Sequence, residues 1–398
     1  MRDALDFDSK AAIDRLMHFL SVEGITGQEK TIGQAVIQAL LEAGVPRKAI
    51  HFDDADKKIP LPTQTGNLIV TFPGTRTGPR RLLMTHLDTV PLCAGAKPVR
   101  KGGRIVPAEN TALGGDNRVG VTCLVTTMAT LLKRNLPHGP LTFLFTVREE
   151  SGLWGARYVD RDMLGRPVEA FNIDGGIASE VTIGAVGAER WEVEFFGRAA
   201  HAGAHPERGI SATVVASLAL SHIHQDGWFG KIRRNASKGT SNVGSLGGAE
   251  GASAGTATNV VTDYVLIRGE SRSHDSRFAR AITRAYRDAF RKAAVTVRDH
   301  RDRGAKIRFR SRLDYHPFRL PESAAVVRHA FGAAVRAGLK PRTRITDGGL
   351  DANWMVRHGI PTITFGAGQN NPHTVEEFVD LSEFQAGCRF ALACATLD

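Results

Sequence analysis

The sequence is poor in cysteine and contains no long apolar run. Its 398 residues include four cysteines, Cys93, Cys123, Cys388 and Cys394, which are too few and too scattered for a disulfide scaffold or a paired-cysteine zinc site. No apolar stretch reaches the ~18 residues that a membrane-spanning helix needs. The opening residues, MRDALDFDSK, lack the basic segment and the apolar core of a secretory signal peptide. We therefore expect a soluble cytoplasmic protein with free thiols.

The composition also excludes disordered and fibrous chains. Hydrophobic residues make up 42% of the chain and charged residues 23%, which is enough apolar material for a sizeable core. The 42 glycines and 17 prolines are spread along the sequence rather than concentrated in repeats or low-complexity tracts. At ~150 residues per domain, the length predicts two or three domains.

The charge balance is basic, with 52 Lys and Arg against 41 Asp and Glu, a net charge of +11. Such an excess can attract nucleic acid, anionic membranes or acidic substrates. It is concentrated near 277–312, where five arginines recur at helical spacing: Arg277, Arg280, Arg284, Arg287 and Arg291. No nucleic-acid motif and no cluster of base-stacking aromatics accompanies them. We interpret this stretch as a solvated helix face and expect neither a nucleic-acid nor a membrane partner.

Apolar runs of strand length alternate with amphipathic helices in most of the chain. The apolar spacing predicts helices at 9–21 and 28–43. The strand-like runs are NLIVTF, RLLMTHLD, LTFLFTVREE, AFNIDGG and TITFGAG, with the helix VGVTCLVTTMATLLKR between the second and the third. Unbroken apolar strands are typical of a sheet that is buried on both faces. The order predicts an α/β fold, a three-layer sandwich with a largely parallel sheet.

The middle of the chain has a different pattern. Between residues 187 and 317 the predicted order is β-α-β-β-α-β, which is the ferredoxin-like α+β unit. The α/β pattern resumes after it with the helix ESAAVVRHAFGAAVRAGL. We therefore predict one domain formed by 1–186 and 318–398 and a second domain, 187–317, inserted into it.

Metal-type side chains follow the apolar strands. They are His86 and Asp88, the pair Glu149–Glu150, Asp174, and His373 in the loop after the last strand, while Asp116 lies in a Gly-rich turn just before a helix. In open α/β sheets, ligands gather beyond the carboxyl ends of the strands. Two adjacent glutamates are unfavourable unless a cation lies near them. Together these residues predict a metal site.

The number of ligands suits two ions. His86 and Asp174 can serve one ion, His373 and Glu150 can serve the other, and Asp116 can bridge them. Each ion then has about three protein ligands and a position for a shared water, which is the arrangement of catalytic zinc.

Two acidic residues remain outside this ligand set. Asp88 lies two residues beyond His86 and is predicted to orient its imidazole. Glu149 is predicted to be the general base that takes the proton of the water.

The chain resembles the dinuclear zinc exopeptidases of the peptidase T, dipeptidase and aminoacylase kind. The resemblance spans the whole chain and rests on the motifs MTHLDTVP, GGDNRVG, TVREESGLWGA, NIDGG and NPHTVEEFVD. The segments EESGLWGA, RGESRSHD and DGGLDANW are most similar to peptidase T-like tripeptide aminopeptidases. The resemblance implies a cis peptide bond between Asp116 and Asn117. One departure is Arg118, where many relatives carry Lys.

The resemblance also assigns roles in the inserted domain, which is the lid and dimerisation domain of that family. His201, in AAHAG, matches a lid histidine that hydrogen-bonds the scissile carbonyl and stabilises the oxyanion. Arg272 and Asn259 match positions that bind the backbone or the carboxylate of the substrate, with solvated lid residues as the alternative. Lids of this family often form homodimers through an edge strand or a helix, and the lid histidine can then serve the neighbouring subunit's site rather than its own.

The implied function is hydrolysis of the N-terminal residue from short peptides. The resemblance implies two divalent ions, most commonly zinc, with cobalt or manganese as alternatives. An N-acyl amino acid amidohydrolase or a carboxypeptidase would use the same ions, and the motifs leave these alternatives open. A nucleic-acid-binding protein with a dormant hydrolase fold is a different class, and the presence of every expected ligand disfavours it.

Overall fold

The computed structural model describes residues 5–397, which divide into two compact units. Unit 1 contains 5–185, Arg319–Thr346 and 350–397, and unit 2 contains Val186–Phe318 and Asp347–Gly349. In the part of the chain that the structure describes, no helix is both long and apolar enough to cross a membrane.

The predicted helices and strands occur in the predicted order, and the structure adds elements that were not predicted, among them the last helix. The helices are α1 Ser9–Ser21, α2 Lys30–Glu42, α3 Ala55–Lys58, α4 Gly115–Arg134, α5 Trp154–Tyr158, α6 Ala212–Gln225, α7 Ser276–Thr296, α8 Ala325–Arg336, α9 Ala352–Arg357 and α10 Leu381–Ala395. The strands of the first half are β1 Ile50–Phe52, β2 Leu68–Phe72, β3 Arg81–His86, β4 Pro98–Lys101, β5 Arg104–Pro107, β6 Leu141–Thr146, β7 Glu169–Ile173, β8 Glu180–Ala185 and β9 Gly187–Phe196. Those of the second half are β10 Gly230–Arg234, β11 Ser237–Gly247, β12 Tyr264–Ser273, β13 Lys306–Tyr315, β14 Phe318–Arg319, β15 Arg342–Thr346, β16 Thr362–Phe365, β17 Gln369–Asn370 and β18 Phe378–Asp380.

The large sheet of unit 1 has nine strands in the order β1-β2-β6-β3-β7-β16-β8-β14, with β15 paired to β8. The central pairs β6–β3, β3–β7 and β7–β16 are parallel, and the antiparallel pairs β1–β2, β2–β6 and β16–β8 lie toward the edges. The predicted α/β class with a mostly parallel sheet is therefore confirmed. The parallel register of β3 with β6 brings the carboxyl ends of these two strands to the same edge of the sheet.

Alternate residues of the central strands enter two different apolar clusters. Leu83 and Phe143 are buried in a cluster with residues of α1, α2, α4, α8 and α10. Their neighbours Leu82 and Leu144 are buried in a second cluster with Met355 of α9. Because successive strand residues point to opposite faces, helices cover both faces of the sheet. This is the three-layer arrangement that the unbroken apolar strands predict.

A second sheet of unit 1 was not predicted. It has four short strands in the order β17-β18-β5-β4. Its strands have only two to four residues, and β4 (PVRK) has no fully buried position. Such segments lack an apolar run, so periodicity gives no indication of them.

Unit 2 contains a five-stranded antiparallel sheet, β10-β11-β12-β9-β13, with helices α6 and α7. Four of its strands and both helices follow the predicted β-α-β-β-α-β order, but the prediction missed β10. This strand, GKIRR, buries one residue, Ile232, and is otherwise too polar to be recognised. The buried face of α7 includes Phe278, Tyr286 and Phe290, while its arginines at 277, 280, 284 and 291 are exposed.

Candidate metal centre

The predicted ligands lie at the carboxyl ends of neighbouring strands in unit 1. His86 is the last residue of β3, and Asp174 directly follows β7. Glu150 lies four residues beyond β6, and His373 lies in the loop between β17 and β18. Asp116 lies in the first turn of α4, where the backbone departs from helical geometry and the Asp116–Asn117 peptide bond is cis, as the resemblance implies.

These side chains form two overlapping groups that share Asp116. In the first group, His86, Asp116 and Asp174, and in the second, Asp116, Glu150 and His373, the ligand atoms all lie within 4.8 Å of one another. Asp116 Oδ1 lies 3.1 Å from His86 Nε2, and Asp116 Oδ2 lies 3.5 Å from His373 Nε2. One carboxylate therefore faces an imidazole on each side.

Burial and the contacts among these groups shift the pKa values of the candidate ligands, and, although burial opposes the shift, hydrogen bonds from the two histidines lower that of Asp116. Burial and the nearby Asp116 raise the pKa of Asp174 to about 8 and that of Glu150 to about 7. Hydrogen bonding to Asp116 and Glu150 raises the pKa of His373 to about 10. Burial would lower the pKa of His86, but its contacts with Asp116 and Asp88 raise it well above the usual value. In the absence of a cation, the Asp174 and Glu150 carboxyl groups therefore hold their protons more tightly than usual.

This donor set fits divalent metal ions. It offers two imidazole nitrogens and several carboxylate oxygens and no thiolate, which are ligands suited to zinc and to other first-row divalent ions. Cations placed between these carboxylates would offset the cost of burying them in their charged form and the repulsion between them. Because its carboxylate belongs to both groups, Asp116 is the residue that would bridge a pair of ions.

Glu149 lies beside the ligand cluster and is buried. A third group contains the carboxylates of Glu149 and Glu150 and the imidazole of His86, and its ligand atoms lie within 4.8 Å of one another. Burial and the neighbouring Glu150 and Asp174 raise the pKa of Glu149 well above the usual value, although His86 opposes the shift. A carboxyl group in this position can hold a proton and release it.

Asp88 contacts the glutamates as well as His86. Its Oδ1 and Oδ2 atoms accept hydrogen bonds from the backbone N–H groups of Glu149 (2.9 Å) and Glu150 (3.1 Å). The closest partner of His86 Nδ1 is the backbone carbonyl of Asp88, at 3.0 Å, and the carboxylate Oδ1 is 3.4 Å away. When the ring is neutral and Nδ1 donates to that carbonyl, Nε2 of His86 has its lone pair toward Asp116, as a metal ligand requires.

Three residues that form hydrogen bonds around the candidate site were not predicted from the sequence. Gln369 donates from Nε2 to Asp174 Oδ1 (3.1 Å), and Glu29 accepts the backbone N–H of Arg148 (3.0 Å), next to Glu149. Glu377 accepts three backbone N–H groups around Asp116. Only Glu377 lay inside a motif, NPHTVEEFVD, and the other two had no sequence pattern that marked them.

Arg118 is fully buried and binds backbone carbonyls. Its guanidinium donates to Phe19 O (3.2 Å), Val22 O (3.3 Å) and Leu87 O. Burial lowers its pKa to about 10. Arg118 therefore joins the end of α1 to the residue that precedes Asp88.

His201 and Asn259, two of the residues predicted to contact substrate, lie together in unit 2. His201 Nδ1 accepts the backbone N–H groups of Gly203 (3.2 Å) and Ala204 (3.0 Å), so the proton of the neutral ring is on Nε2. The backbone carbonyl of Asn259 accepts the N–H of Ala202 (2.9 Å), and both Asn259 and His201 are exposed.

Arg272 lies on β12 of the same unit. Its guanidinium pairs with both carboxylate oxygens of Glu270, at 2.8 and 3.0 Å.

The chain is similar to known proteins in both sequence and structure. The family model described as peptidase family M20/M25/M40 matches residues 82–396. An uncharacterized protein of Bacillus subtilis, YqjE, is 30% identical over 377 residues, which cover 94% of this chain and 95% of that protein.

Solved structures are also similar to this chain over nearly its whole length. A tripeptidase from Staphylococcus aureus superposes with a TM-score of 0.83 at 26% identity, and the aminopeptidase PepT from Bacillus cereus with a TM-score of 0.78 at 28% identity. Both alignments cover 98% of each chain. The Bacillus subtilis protein YXEP, described as a dinuclear metal binding peptidase, shares the fold with a TM-score of 0.67 and 16% identity over 98% of this chain and 97% of its own.

Proposed function

Because the chain belongs to peptidase family M20/M25/M40 and is a peptidase, we propose that it removes the N-terminal residue from short peptides with two metal ions. The observation that supports this most strongly is Asp116, whose carboxylate is shared by two ligand groups. The tripeptidase and aminopeptidase named among the similar structures support the choice of substrate.

His86, Asp116 and Asp174 hold one ion in this proposal, and Asp116, Glu150 and His373 hold the other. The ions, when bound, polarise the scissile carbonyl and make water a stronger nucleophile at neutral pH. The nitrogen and oxygen donors favour zinc, with cobalt and manganese as the alternatives.

Glu149 is the general base in this mechanism. It takes the proton of the attacking water and then gives a proton to the leaving amine, so that it returns to its starting state. Asp88 supports this role because its carboxylate holds the backbone of Glu149 by a hydrogen bond of 2.9 Å.

His201 donates a hydrogen bond from Nε2 to the developing oxyanion. This role suits the tautomer set by Gly203 and Ala204, which leaves Nε2 protonated without a further adjustment. Arg272 and Asn259 bind the carboxylate and the backbone of the peptide. A guanidinium is well matched to the terminal carboxylate of a short peptide, with which it forms paired hydrogen bonds.

A panel of tripeptides tests the direction of cleavage. Free, N-acetylated and C-amidated forms of one tripeptide are incubated with the metal-loaded protein, and the products are identified by mass spectrometry. We expect release of the N-terminal residue, loss of turnover after N-acetylation, and a smaller reduction after C-amidation. Faster hydrolysis of the N-acetylated peptide would contradict an aminopeptidase and indicate an N-acyl amino acid amidohydrolase, and release of the C-terminal residue would indicate a carboxypeptidase.

A further inference from the structure

We infer that Glu377 is a positioning residue that holds Asp116 and the loop of His373 in one arrangement, and so sets the affinity for the pair of metal ions. This inference rests on the proposed role of Asp116 as the shared ligand. It concerns a residue outside the ligand set and outside the reacting groups.

The contacts of Glu377 are directed at the backbone of one turn. Its Oε2 atom accepts the N–H groups of Leu113 and Gly114, each at 2.8 Å, and its Oε1 atom accepts the N–H of Asp116 at 3.0 Å. The residue is 1% exposed, so these bonds do not compete with water. Charged acceptors form stronger hydrogen bonds than neutral ones, and burial increases the difference.

The turn needs such an acceptor because of its backbone shape. Gly114 has a φ of +81°, and the chain then enters α4, whose first N–H groups have no partner within the helix. The Glu377 carboxylate accepts one of these donors, the N–H of Asp116, as a helix cap would, together with the N–H groups of the two residues that precede the helix. It also lies close to Gly115, where an added Cβ would be 3.2 Å from Oε1 and 2.9 Å from Val379 Cγ2. The backbone of the turn is therefore packed directly against this carboxylate.

Glu377 belongs to the same loop as His373. Its own backbone N–H donates to Thr374 O (3.2 Å), one residue beyond His373. One side chain therefore joins the turn that presents Asp116 to the loop that presents His373. The distance between these two ligands, 3.5 Å between Oδ2 and Nε2, depends on that connection.

Titration with Co²⁺ tests this inference. Glu377→Gln keeps the shape of the side chain but places an amide nitrogen against one of the backbone N–H groups. Groups that hold metal ligands in place by hydrogen bonds, without binding the metal themselves, typically contribute about 10- to 100-fold to metal affinity. We expect the apparent dissociation constant of at least one Co²⁺ ion to rise by this factor, with a changed visible spectrum of the bound cobalt. Activity should recover in part at saturating Co²⁺, because the ligands and Glu149 are intact.

Asp380→Ala is the matched control. Asp380 lies three residues further along the chain and accepts the backbone N–H groups of Ser382 (2.9 Å) and Glu383 (3.1 Å) at the start of α10. Asp380→Ala also removes hydrogen bonds between a carboxylate and backbone N–H groups. This variant should therefore have a lower unfolding temperature but an unchanged Co²⁺ affinity. If Glu377→Gln does not fold, the same titration is made on Glu377→Asp, which keeps the charge on a shorter side chain and should also bind Co²⁺ more weakly.

Two results would overturn the inference. One is wild-type Co²⁺ affinity and spectrum in the folded Glu377 variant, and the other is an equal loss of affinity in Asp380→Ala. The wild-type protein and Asp116→Ala are titrated in parallel. Two ions in the wild type and none in Asp116→Ala would support the proposed metal centre even if Glu377 proved unimportant, and a wild-type protein that binds no ions would contradict the proposed function itself.

Discussion

The carboxylate of Asp88 accepts the backbone N–H of Glu149, with 2.9 Å between Asp88 Oδ1 and the Glu149 nitrogen. The other oxygen of the same carboxylate receives the N–H of Glu150. The two glutamates thus share one anchor, while their side chains have different surroundings. Both carboxylates lie near His86, and Glu150 Oε1 lies in addition 2.9 Å from His373 Nε2, in the group that contains Asp116. This difference is the structural basis for giving the two residues different roles.

The first prediction separates these roles by substitution. Glu149→Gln keeps the shape of the side chain but removes the proton acceptor, so both ions should remain bound while turnover falls by about 10²- to 10⁴-fold. Glu150→Gln should instead weaken the ion near His373, because a neutral amide is a poorer ligand than a carboxylate. Metal content by mass spectrometry and peptide turnover are measured on the same preparations. Loss of an ion from Glu149→Gln, with two retained in Glu150→Gln, would mean that the roles are exchanged.

The second prediction concerns the anchor itself. In Asp88→Asn one carboxylate oxygen becomes an NH₂ group, which repels a backbone N–H of the Glu149–Glu150 turn. We expect kcat to fall by about 10- to 100-fold, the usual effect of losing a group that orients metal ligands. Asp53→Asn is the control, since the Asp53 carboxylate also accepts the backbone N–H groups of Ala55 and Asn67. Equal losses of kcat in the two variants, measured on folded protein, would indicate a general effect on stability.

The third prediction concerns the lid histidine. His201→Ala should lower kcat by about 10²- to 10³-fold, the usual effect of removing one oxyanion donor. The metal content should not change, because His201 lies outside the ligand set. His205→Ala provides the control, since this exposed histidine lies four residues away and faces Glu207 at 3.4 Å. Wild-type kcat in His201→Ala would show that the residue has no part in the reaction.

The fourth prediction concerns Arg272 and the end of the peptide. Arg272→Ala should raise KM for a free tripeptide by about 10-fold or more, because charge-assisted hydrogen bonds to a carboxylate contribute about 1.5–3 kcal/mol. The C-amidated peptide should show little change, because it lacks the carboxylate. Arg268→Ala is the control on the same strand, since Arg268 lies 3.6 Å from Glu192. The assignment is wrong if KM for the two peptides rises equally in Arg272→Ala.

Much of the fold could be predicted because burial leaves a strong pattern in the sequence. Strands such as β3 and β6 are buried at every position and rich in apolar residues, and they end at His86 and Thr146. The helix prediction of 9–21 coincides with α1 because its apolar stripe is regular. Strand β10 and the four-stranded sheet could not be predicted in this way, because hydrogen bonding rather than apolar burial defines them.

The supporting contacts of the candidate site were harder to predict than the candidate ligands. Ligand types can be recognised at strand ends, and the chemistry of His and carboxylate limits what they do. A contact such as that of Glu29 with Arg148 joins residues 119 positions apart, and only the folded chain brings them together. The contacts of Asp88 were also not predictable in detail. Its carboxylate accepts the backbone N–H of Glu149, and the ring of His86 lies closest to the Asp88 backbone carbonyl. Backbone partners leave no residue-type pattern, so the sequence cannot indicate them.

The most direct test of the central claim is peptide turnover as a function of bound metal. The protein is stripped with a chelator, and Zn²⁺, Co²⁺ or Mn²⁺ is returned stepwise while tripeptide hydrolysis and metal content are measured together. We expect no hydrolysis in the metal-free protein and full recovery at two ions per chain. Hydrolysis that persists at the wild-type rate in the metal-free protein would contradict a dinuclear metallopeptidase.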